Sequence, residues 1–409
     1  MRILYFSSRE CWPLTSGARL RDYHLARQLA RNASVTYFGL RLGDEPAAEL
    51  PPASSGFDRV VIVPRDRAYT PGKLLRGLIG PDPVTVLNYS APSIAAALDQ
   101  TLRDSHFDTI QVEGVHLVGY LPAIRNTAPS AAVIADWHNI ESETLWRYAA
   151  NQGNAARRLF AKRTAALVQR AESILLESCD SHTVTSDRER NSLQQRSPGA
   201  LLHTLPNGVD VAYYAAVGAQ ADDDTPRHEV LFVGSMDYHA NIDGVGWFVR
   251  EVWPAVKRQC PALRLTIAGR TPAPSVRALA ADDIAVTGTV DDVRMYYSRA
   301  LAVVVPLRTG SGTRLKILEA MAAGTPVVST RLGAEGLGVT NELNILLAET
   351  AEDFAGALAR IGAVPALRAQ LIRAGHDMVS RWDWTELGAK LYRIHESARE
   401  SRRIAGTGG

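Results

Sequence analysis

The sequence predicts an α/β protein with two doubly wound parallel sheets that face a common cleft. The chain has 409 residues, which exceeds the usual size of a domain with a single hydrophobic core, so two domains are expected. Short apolar runs rich in β-branched residues alternate with helical stretches, which is typical of βαβ crossovers. A stretch of linker composition, AVGAQADDDTPRHE, interrupts the alternation and places the domain boundary between 217 and 218.

The strands of both predicted sheets follow from these apolar runs. In the first half we expect strands at 3–7, 35–38, 60–63, 109–112, 132–135 and 182–185. In the second half we expect them at 229–233, 263–268, 284–287, 301–305, 326–329 and 345–347. Ligands of such sheets bind beyond the carboxyl ends of the strands, so candidate site residues are sought there.

Composition narrows the class of protein. Hydrophobic residues make up 46% and charged residues 22%, ordinary globular usage, and the formal charge of +2 gives no reason to expect a nucleic-acid partner. The three cysteines, Cys11, Cys179 and Cys260, are far apart and lack metal-binding spacing, which favours a reducing, cytoplasmic location and no metal. No apolar run is long enough to span a bilayer, so any membrane contact is expected to be peripheral, at the inner face.

Two segments of the first half are rich in basic residues, and the sequence does not decide whether they face solvent or bind an anionic partner. The helical stretch 154–178 carries five cations in its first seventeen residues, and a loop is expected over 65–76 with Arg65, Arg67, Lys73 and Arg76. Each fits a solvated surface, and each also fits an anionic lipid or a phosphorylated acceptor.

The most informative stretch is VVVPLRTGSGTRLKILEAMAAGTPVVST, which begins at residue 303. It reads as a strand, a glycine-containing loop and a helix start, an arrangement whose free N–H groups and helix dipole favour phosphate. Arg314 and Lys316 lie in the first turn of that helix, where cations oppose the dipole unless an anion is bound. Glu319 follows one turn later and could accept hydrogen bonds from sugar hydroxyls. The loop residues in this candidate site are Gly310, Ser311, Gly312 and Thr313.

In the first half, polar residues follow the predicted strands at the same kind of edge. The motif ADWHNIES places Asp136, His138 and Asn139 just beyond one strand, and Glu113 follows the strand TIQV. A second loop at a helix start contains Ser16 and Gly17. A capping histidine, an ion-paired carboxylate and a plain strand-to-helix turn are the structural alternatives for these three places.

These motifs together resemble family 4 of the glycosyltransferases, retaining enzymes with the GT-B fold. The pattern LEAMAAGTPVV is the most specific part, and LPNGVD, FVGSMDYHANIDG, LTIAGRTP and VTGTVDD agree in order and spacing. The resemblance implies a donor-binding second domain (218–385), an acceptor-binding first domain (1–217) and a C-terminal helix, 386–409, that packs back on the first domain. Trp382 and Trp384, near the start of that helix, are expected to be packing residues, with at least one in the turn before the helix.

The resemblance also implies roles for individual residues. It assigns the donor to a site made by Ser16, Gly17, Gly234, Ser235, Asn241, Gly269, Arg270, Val290 and the loop 310–313. Glu319 matches the second glutamate of the family motif, whereas Ser311 stands at the position of the first. The family's Arg and Lys after the first strand of the donor domain are absent, and we expect Arg314 and Lys316 to neutralise the diphosphate instead. His138 resembles the family's histidine near the transferred sugar, with Glu113, Asp136 and Asn139 on the acceptor side.

The implied reaction moves a hexose from a nucleotide diphosphate sugar, such as a UDP or GDP sugar, to a carbohydrate, lipid-linked or small-molecule acceptor with retention of configuration. No cofactor or metal is expected, because the two cations can stabilise the leaving diphosphate. Two alternatives stay open: a weak or inactive sugar-nucleotide-binding protein, and a nucleotide-sugar 2-epimerase on the same fold. The sequence leaves the donor, the acceptor and the oligomeric state undetermined.

Overall fold

The computed structural model describes residues 1–43, 50–66, 68–150, 152–218, 227–310 and 313–407. They form two compact units: Met1–Pro206 together with the chain from Thr385, and Asn207–Trp384. Ser311, Gly312, Arg67 and the acidic run 222–224 lie outside the described residues.

The first unit is a seven-stranded parallel sheet flanked by helices, with strand order β3-β2-β1-β4-β5-β6-β7. Its strands are β1 Arg2–Phe6, β2 Ser34–Leu42, β3 Arg59–Arg65, β4 Thr109–Glu113, β5 Ala132–Trp137, β6 Ser181–Val184 and β7 Leu202–Thr204. Its helices are α1 Gly17–Leu29, α2 Pro71–Ile79, α3 Val84–Leu87, α4 Pro92–Asp104, α5 Leu121–Thr127, α6 Glu141–Ala150, α7 Ala155–Ser178 and α8 Asp187–Arg196. Strands β4 and β5 are wholly buried, as expected for a sheet covered on both faces.

The second unit is a six-stranded parallel sheet with order β10-β9-β8-β11-β12-β13. Its strands are β8 Glu229–Val233, β9 Arg264–Ala268, β10 Ile284–Gly288, β11 Ala300–Val305, β12 Val327–Ser329 and β13 Leu346–Leu347. Its helices are α9 Val211–Gly218, α10 His239–Trp247, α11 Trp253–Gln259, α12 Pro274–Arg277, α13 Arg294–Arg299, α14 Leu315–Ala322, α15 Ala351–Ala363 and α16 Pro365–Val379. Apolar clusters cover both faces of this sheet.

The last helix, α17 (Trp384–Thr407), belongs mainly to the first unit. Its Ile394 and Ala398 pack on Ala132 and Ile134 of β5. Trp382 lies in the short 3₁₀ turn before the helix, as the two-residue spacing of the tryptophans predicted.

Twelve strands were predicted, and all twelve are present. Strand β7 was not predicted, because its three residues, LHT, are all partly exposed and lack an apolar run. The fold class is therefore confirmed as α/β with two doubly wound sheets.

Two boundaries need correction. Residues 207–217, which the sequence assigned to the first domain, belong to the second unit, because α9 packs against α13 and α14 and Val209 pairs with Asp383. The loop expected over 65–76 contains the helix α2, whose start is capped by the Thr70 hydroxyl, 3.4 Å from the Lys73 amide nitrogen, with Pro71 in the first turn.

Candidate active site

The strand order of each sheet reverses at one point, and the candidate residues gather there. In the first unit the reversal lies between β1 and β4, and in the second between β8 and β11. At such a point the two neighbouring loops leave in opposite directions and open a crevice beyond the carboxyl ends of the strands.

In the second unit, a lysine and an amide enclose the glycine that follows β8. The Lys316 Nζ atom donates to Asn241 Oδ1 at 2.9 Å, and Asn241 Nδ2 donates to the Ser235 carbonyl oxygen at 2.8 Å. A β-carbon at Gly234 would lie 2.7 Å from Asn241 Nδ2 and 2.9 Å from Lys316 Nζ. The sequence placed these residues in one site, and the structure brings Gly234, Ser235, Asn241 and Lys316 together.

A second glycine allows β8 and β9 to end side by side. A β-carbon on Gly269 would lie 1.7 Å from the Gly234 carbonyl oxygen, so a larger residue cannot be accommodated without moving the backbone. Beside it, Arg270 Nε donates to the hydroxyl of the partly exposed Ser235 at 3.0 Å. Val290 lies just beyond the end of β10, two strands away from β8.

Two cations start the helix α14. Arg314 is its N-cap residue and is buried, and Lys316 is the second residue of the helix. A β-carbon on Gly310 would be 3.3 Å from Arg314 Nη2, which places the guanidinium beside the glycine loop. Burial, together with the charge of Arg314, lowers the pKa of Lys316 to about 7. Both cations are thus held at a helix start with part of their hydration removed, a site suited to an anion.

Glu319 lies one turn along the same helix and faces two tyrosines. The Tyr297 hydroxyl donates to Glu319 Oε2 at 2.7 Å, and the Tyr297 and Tyr214 rings meet edge to face. Burial raises the pKa of Glu319, against the hydrogen bonds from Tyr297 and Tyr214. The carboxylate is fixed in place next to Lys316 and within the candidate site.

In the first unit, His138 lies among charged groups at the carboxyl edge. Its Nε2 atom is 3.0 Å from Glu113 Oε2, 3.3 Å from Asp22 Oδ1 and 3.4 Å from Arg9 Nη1. Burial opposes the charged imidazole, but hydrogen bonds to Asp22 and Glu113 outweigh it and raise the pKa of His138 to about 9. Burial and the negative charges of Asp136 and Asp22 raise the pKa of Glu113.

The same cluster fits a proton better than a metal ion. Asp22, Glu113 and His138 each present one possible ligand atom, all within 4.8 Å of one another. However, the cationic Arg9 lies against them, 3.6 Å from Asp22 Oδ2, and His138 Nε2 faces both carboxylates as a donor. A protonated imidazole satisfies this geometry, whereas a cation would have to compete with Arg9 for the same carboxylates.

Asp136 is not placed for the acceptor contact that the sequence suggested. Its two oxygens accept from Arg21 Nη2 and Nε, both at 2.7 Å, and both side chains are fully buried. Arg21 also donates to the carbonyl oxygens of Leu205 and Pro206. Asp136 therefore anchors α1 and the segment after β7 to β5, because a buried carboxylate must be paired.

The remaining predicted residues of the first unit have simpler surroundings. Ser16 is the N-cap of α1, and its hydroxyl accepts from the Arg19 amide at 3.3 Å, with Gly17 as the first helical residue. Asn139 follows His138 and is partly exposed. The donor role of this loop stays a prediction.

Sequence reasoning did not select Arg9, Asp22 or Gln111. Arg9 lies three residues beyond the end of β1, so its place at the carboxyl edge could have been expected. Gln111 is a polar residue inside the apolar strand TIQVE, on the same face as Glu113. Asp22 has no comparable signal, because an acidic residue in a helix is normally exposed.

Comparison with known proteins identifies the class first. The fold matches sucrose-phosphate synthase from Thermosynechococcus elongatus with a TM-score of 0.69, at 19% identity over 98% of this chain and 100% of that one. It also matches Anabaena HepE in complex with UDP and glucose, with a TM-score of 0.64 at 15% identity over 97% and 100% of the two chains. The fold is thus that of the GT-B glycosyltransferases.

Family models then identify the particular group. Residues 16–213 match the model of "Glycosyltransferase Family 4", and residues 227–363 match that of "Glycosyl transferases group 1". The chain belongs to glycosyltransferase family 4, as its motifs predicted.

Curated relatives match over shorter stretches. A D-inositol 3-phosphate glycosyltransferase of Saccharomonospora viridis is 29% identical over 52% of this chain, and a phosphatidyl-myo-inositol mannosyltransferase of Mycolicibacterium smegmatis is 30% identical over 50%. The chain spans about half the length of these relatives, 52% and 54%. Among the described residues, no helix is both long and apolar enough to cross a membrane.

Proposed function

We propose that this protein transfers a hexose from a nucleotide diphosphate sugar to an acceptor, with retention of the anomeric configuration. The observation that carries the proposal is the arrangement of Lys316, Asn241 and Gly234 at the point where the strand order of the second sheet reverses, beside Arg314 at the start of α14. A glycine-lined edge with two partly desolvated cations suits the diphosphate of a donor.

In this proposal the second unit does the electrostatic work. Lys316 and Arg314 hold the diphosphate and stabilise the negative charge that develops on it as the glycosidic bond breaks. Because the pKa of Lys316 is lowered to about 7, a bound diphosphate would restore its proton and strengthen the contact. Glu319, fixed by Tyr297, accepts hydrogen bonds from the donor's sugar hydroxyls. The two cations take the place that a metal ion would otherwise fill.

The first unit contributes His138 to the acceptor side. The pKa of His138, about 9, keeps its imidazole protonated near neutral pH, so it donates hydrogen bonds rather than removing a proton. We assign it to the transferred sugar or to the acceptor hydroxyl, with Glu113 as its partner.

The relatives support particular substrates. The structure of HepE contains UDP and glucose, which makes a UDP sugar the first donor to test, with GDP sugars second. Relatives named for inositol phosphate and for phosphatidylinositol support a phosphorylated or lipid-linked acceptor. Polysaccharide and small-molecule acceptors are the further candidates.

A surface of the first unit supports peripheral contact with the inner face of a membrane. Helix α2 exposes Leu75, Leu78 and Ile79, the last at 73%, and Lys73 and Arg76 lie on the same short helix. Helix α7 lies against it, joined by a hydrogen bond from Arg163 to the Gly80 carbonyl oxygen, and exposes Leu159 and further cations. Exposed leucines among basic residues suit an anionic bilayer surface.

Vesicle sedimentation tests this contact. We expect binding to vesicles that contain phosphatidylglycerol and weaker binding to pure phosphatidylcholine, with loss of binding in Leu75→Asp/Ile79→Asp. Leu201→Asp is the matched control, because Leu201 is 56% exposed in the same unit but lies beside β7. Equal vesicle binding by the native protein, the double variant and Leu201→Asp would contradict the assignment of α2 to membrane contact.

Thermal denaturation with UDP, GDP, ADP and TDP sugars tests the enzymatic proposal. A shift with one nucleotide, followed by slow release of free sugar and faster release with an acceptor, is the expected result. Product stereochemistry by proton NMR then decides retention. Stabilisation without turnover would favour a binding protein, acceptor-free isomerisation an epimerase, and no stabilisation would contradict the donor site.

A further inference from the structure

A buried chain of hydrogen bonds joins the C-terminal helix to His138. Thr109, Gln111 and Glu113 alternate along β4 and so project from the same face of the sheet. His395 of α17 lies over that face, with Nδ1 2.7 Å from Thr109 Oγ1 and Nε2 2.8 Å from Gln111 Oε1. Gln111 Nε2 is 2.7 Å from Glu113 Oε1, and Glu113 Oε2 is 3.0 Å from His138 Nε2.

Chemistry fixes the direction of these hydrogen bonds. Gln111 Nε2 donates to Glu113 Oε1, the orientation that an ionised Glu113 paired with a protonated His138 requires. Gln111 Oε1 therefore accepts, and His395 Nε2 must carry the hydrogen. Burial lowers the pKa of His395 to about 3, so its ring is neutral and Nδ1 accepts from the Thr109 hydroxyl. Every donor in the chain points toward Glu113.

Packing alone does not explain these residues. Thr109, Gln111 and His395 are 0% exposed, and each polar group was taken out of water to reach its place. An aliphatic residue would fill the position of His395 at no such cost, as Leu391 does one turn earlier on the same helix. Because the hydrogen bonds all end at Glu113, their effect is concentrated on the carboxylate that faces His138.

We propose that His395 is a positioning residue for glycosyl transfer, which acts through Gln111 to hold the Glu113 carboxylate against His138. The inference rests on the proposed function of His138. The other titratable groups that act on His138 are Asp22 from α1, Asp136 from β5, Arg9 after β1, His116 in the turn after β4, and Glu141 at the start of α6. They do not contact His395, so a substitution there changes only the side of the imidazole that Glu113 holds.

The direct test is to measure the pKa of His138 by NMR titration of protein labelled at histidine. The His138 signal is assigned as the one that is missing from the spectrum of His138→Gln. In His395→Leu the amide of Gln111 loses its fixed orientation and Glu113 loses support for its ionised form, so the His138 pKa should fall by about one unit. His395→Gln retains a donor near the Nε2 position and should stay closer to the native value. Leu391→Ala is the control, because it disturbs the packing of α17 but leaves the hydrogen bonds from Thr109 to Glu113 intact.

Kinetics give a second readout. We expect His395→Leu to lower kcat about tenfold, to shift the alkaline limb of its pH profile to lower pH, and to leave the KM of the donor unchanged. A folded His395→Leu protein with an unchanged His138 pKa and pH profile would overturn the inference. So would Leu391→Ala if it moved the His138 pKa equally.

If His395→Leu does not fold, Thr109→Val replaces it. This substitution keeps the shape and removes only the hydroxyl that selects the tautomer of His395, so the His138 pKa should fall by a smaller amount, with Thr109→Ser restoring it. The NMR measurement needs no turnover. Absence of transfer in the native protein would therefore contradict the proposed function, whereas an unmoved His138 pKa contradicts the role of His395.

Discussion

The carboxyl edges of the two sheets have the same topology and different chemistry. At the β1/β4 edge, Asp22, Glu113 and Asp136 meet Arg9, Arg21 and His138, so that charges of the protein pair with one another. At the β8/β11 edge, glycines clear the space and Lys316 donates to a neutral amide oxygen. We infer that the first edge holds a proton in a fixed place, whereas the second is completed electrostatically by an anionic ligand.

The largest expected effect is on turnover when both cations of the second edge are removed. Arg314→Ala/Lys316→Ala should lower kcat/KM by roughly a thousandfold or more, because the charge on the leaving diphosphate loses its stabilisation. Arg360→Gln is the matched control, since Arg360 is exposed in the same unit and pairs with Glu342. Near-native turnover in a folded double variant would remove the distinction between the two edges.

Next in size is the loss of the buried ion pair of the first edge. Arg21→Met leaves the Asp136 carboxylate buried without its bidentate partner, so the free energy of unfolding should fall by about 3 to 5 kcal/mol. Urea denaturation measures this. The exposed pair Arg188–Glu143 provides the comparison, because Arg188→Met should cost at most about 1 kcal/mol. Equal losses would show that the first edge is not held together by its charges.

A smaller effect is expected on the free energy of unfolding when either of two glycines of the second unit is replaced by alanine. Gly269→Ala places a β-carbon against the Gly234 carbonyl oxygen, and we expect it to cost about 3 kcal/mol in the free energy of unfolding. Gly356→Ala, in the open interior of α15, should instead stabilise by roughly 0.5 to 1 kcal/mol. Chemical denaturation of both variants decides the point, and a mild effect of Gly269→Ala would mean that the backbone there can yield.

The smallest effect is the pH dependence of nucleotide binding. The pKa of Lys316 is about 7 in the unliganded site, and a diphosphate should raise it, so binding above pH 7 takes up a proton. Affinity should weaken as the pH rises from 7, by up to about tenfold per unit. Calorimetry in buffers of different ionisation enthalpy measures the proton uptake. Lys316→Arg should abolish this proton uptake. A pH dependence of the affinity that persists in Lys316→Arg would belong to another titratable group.

Much of the fold could be read from the chain because its signals are local. Parallel strands such as ALAVVV are marked by apolar runs, and twelve strands were found this way. Strand β7 escaped because an edge strand of three partly exposed residues carries no such signal. The segment 207–217 was misassigned because the chain enters the second unit at Asn207, before the linker composition begins, and no change of composition marks that point.

The candidate site divides in the same way. The sequence by itself determined which residues follow the carboxyl ends of the strands, because strand, loop and helix succeed one another along the chain: Gly234, Lys316 and His138 were all placed so. Only the tertiary structure decided that Asp136 is held by Arg21, and that Asp22, Gln111 and His395 join the surroundings of His138. Those contacts join residues up to 286 positions apart, and a hydrogen bond depends on distances that no local pattern encodes.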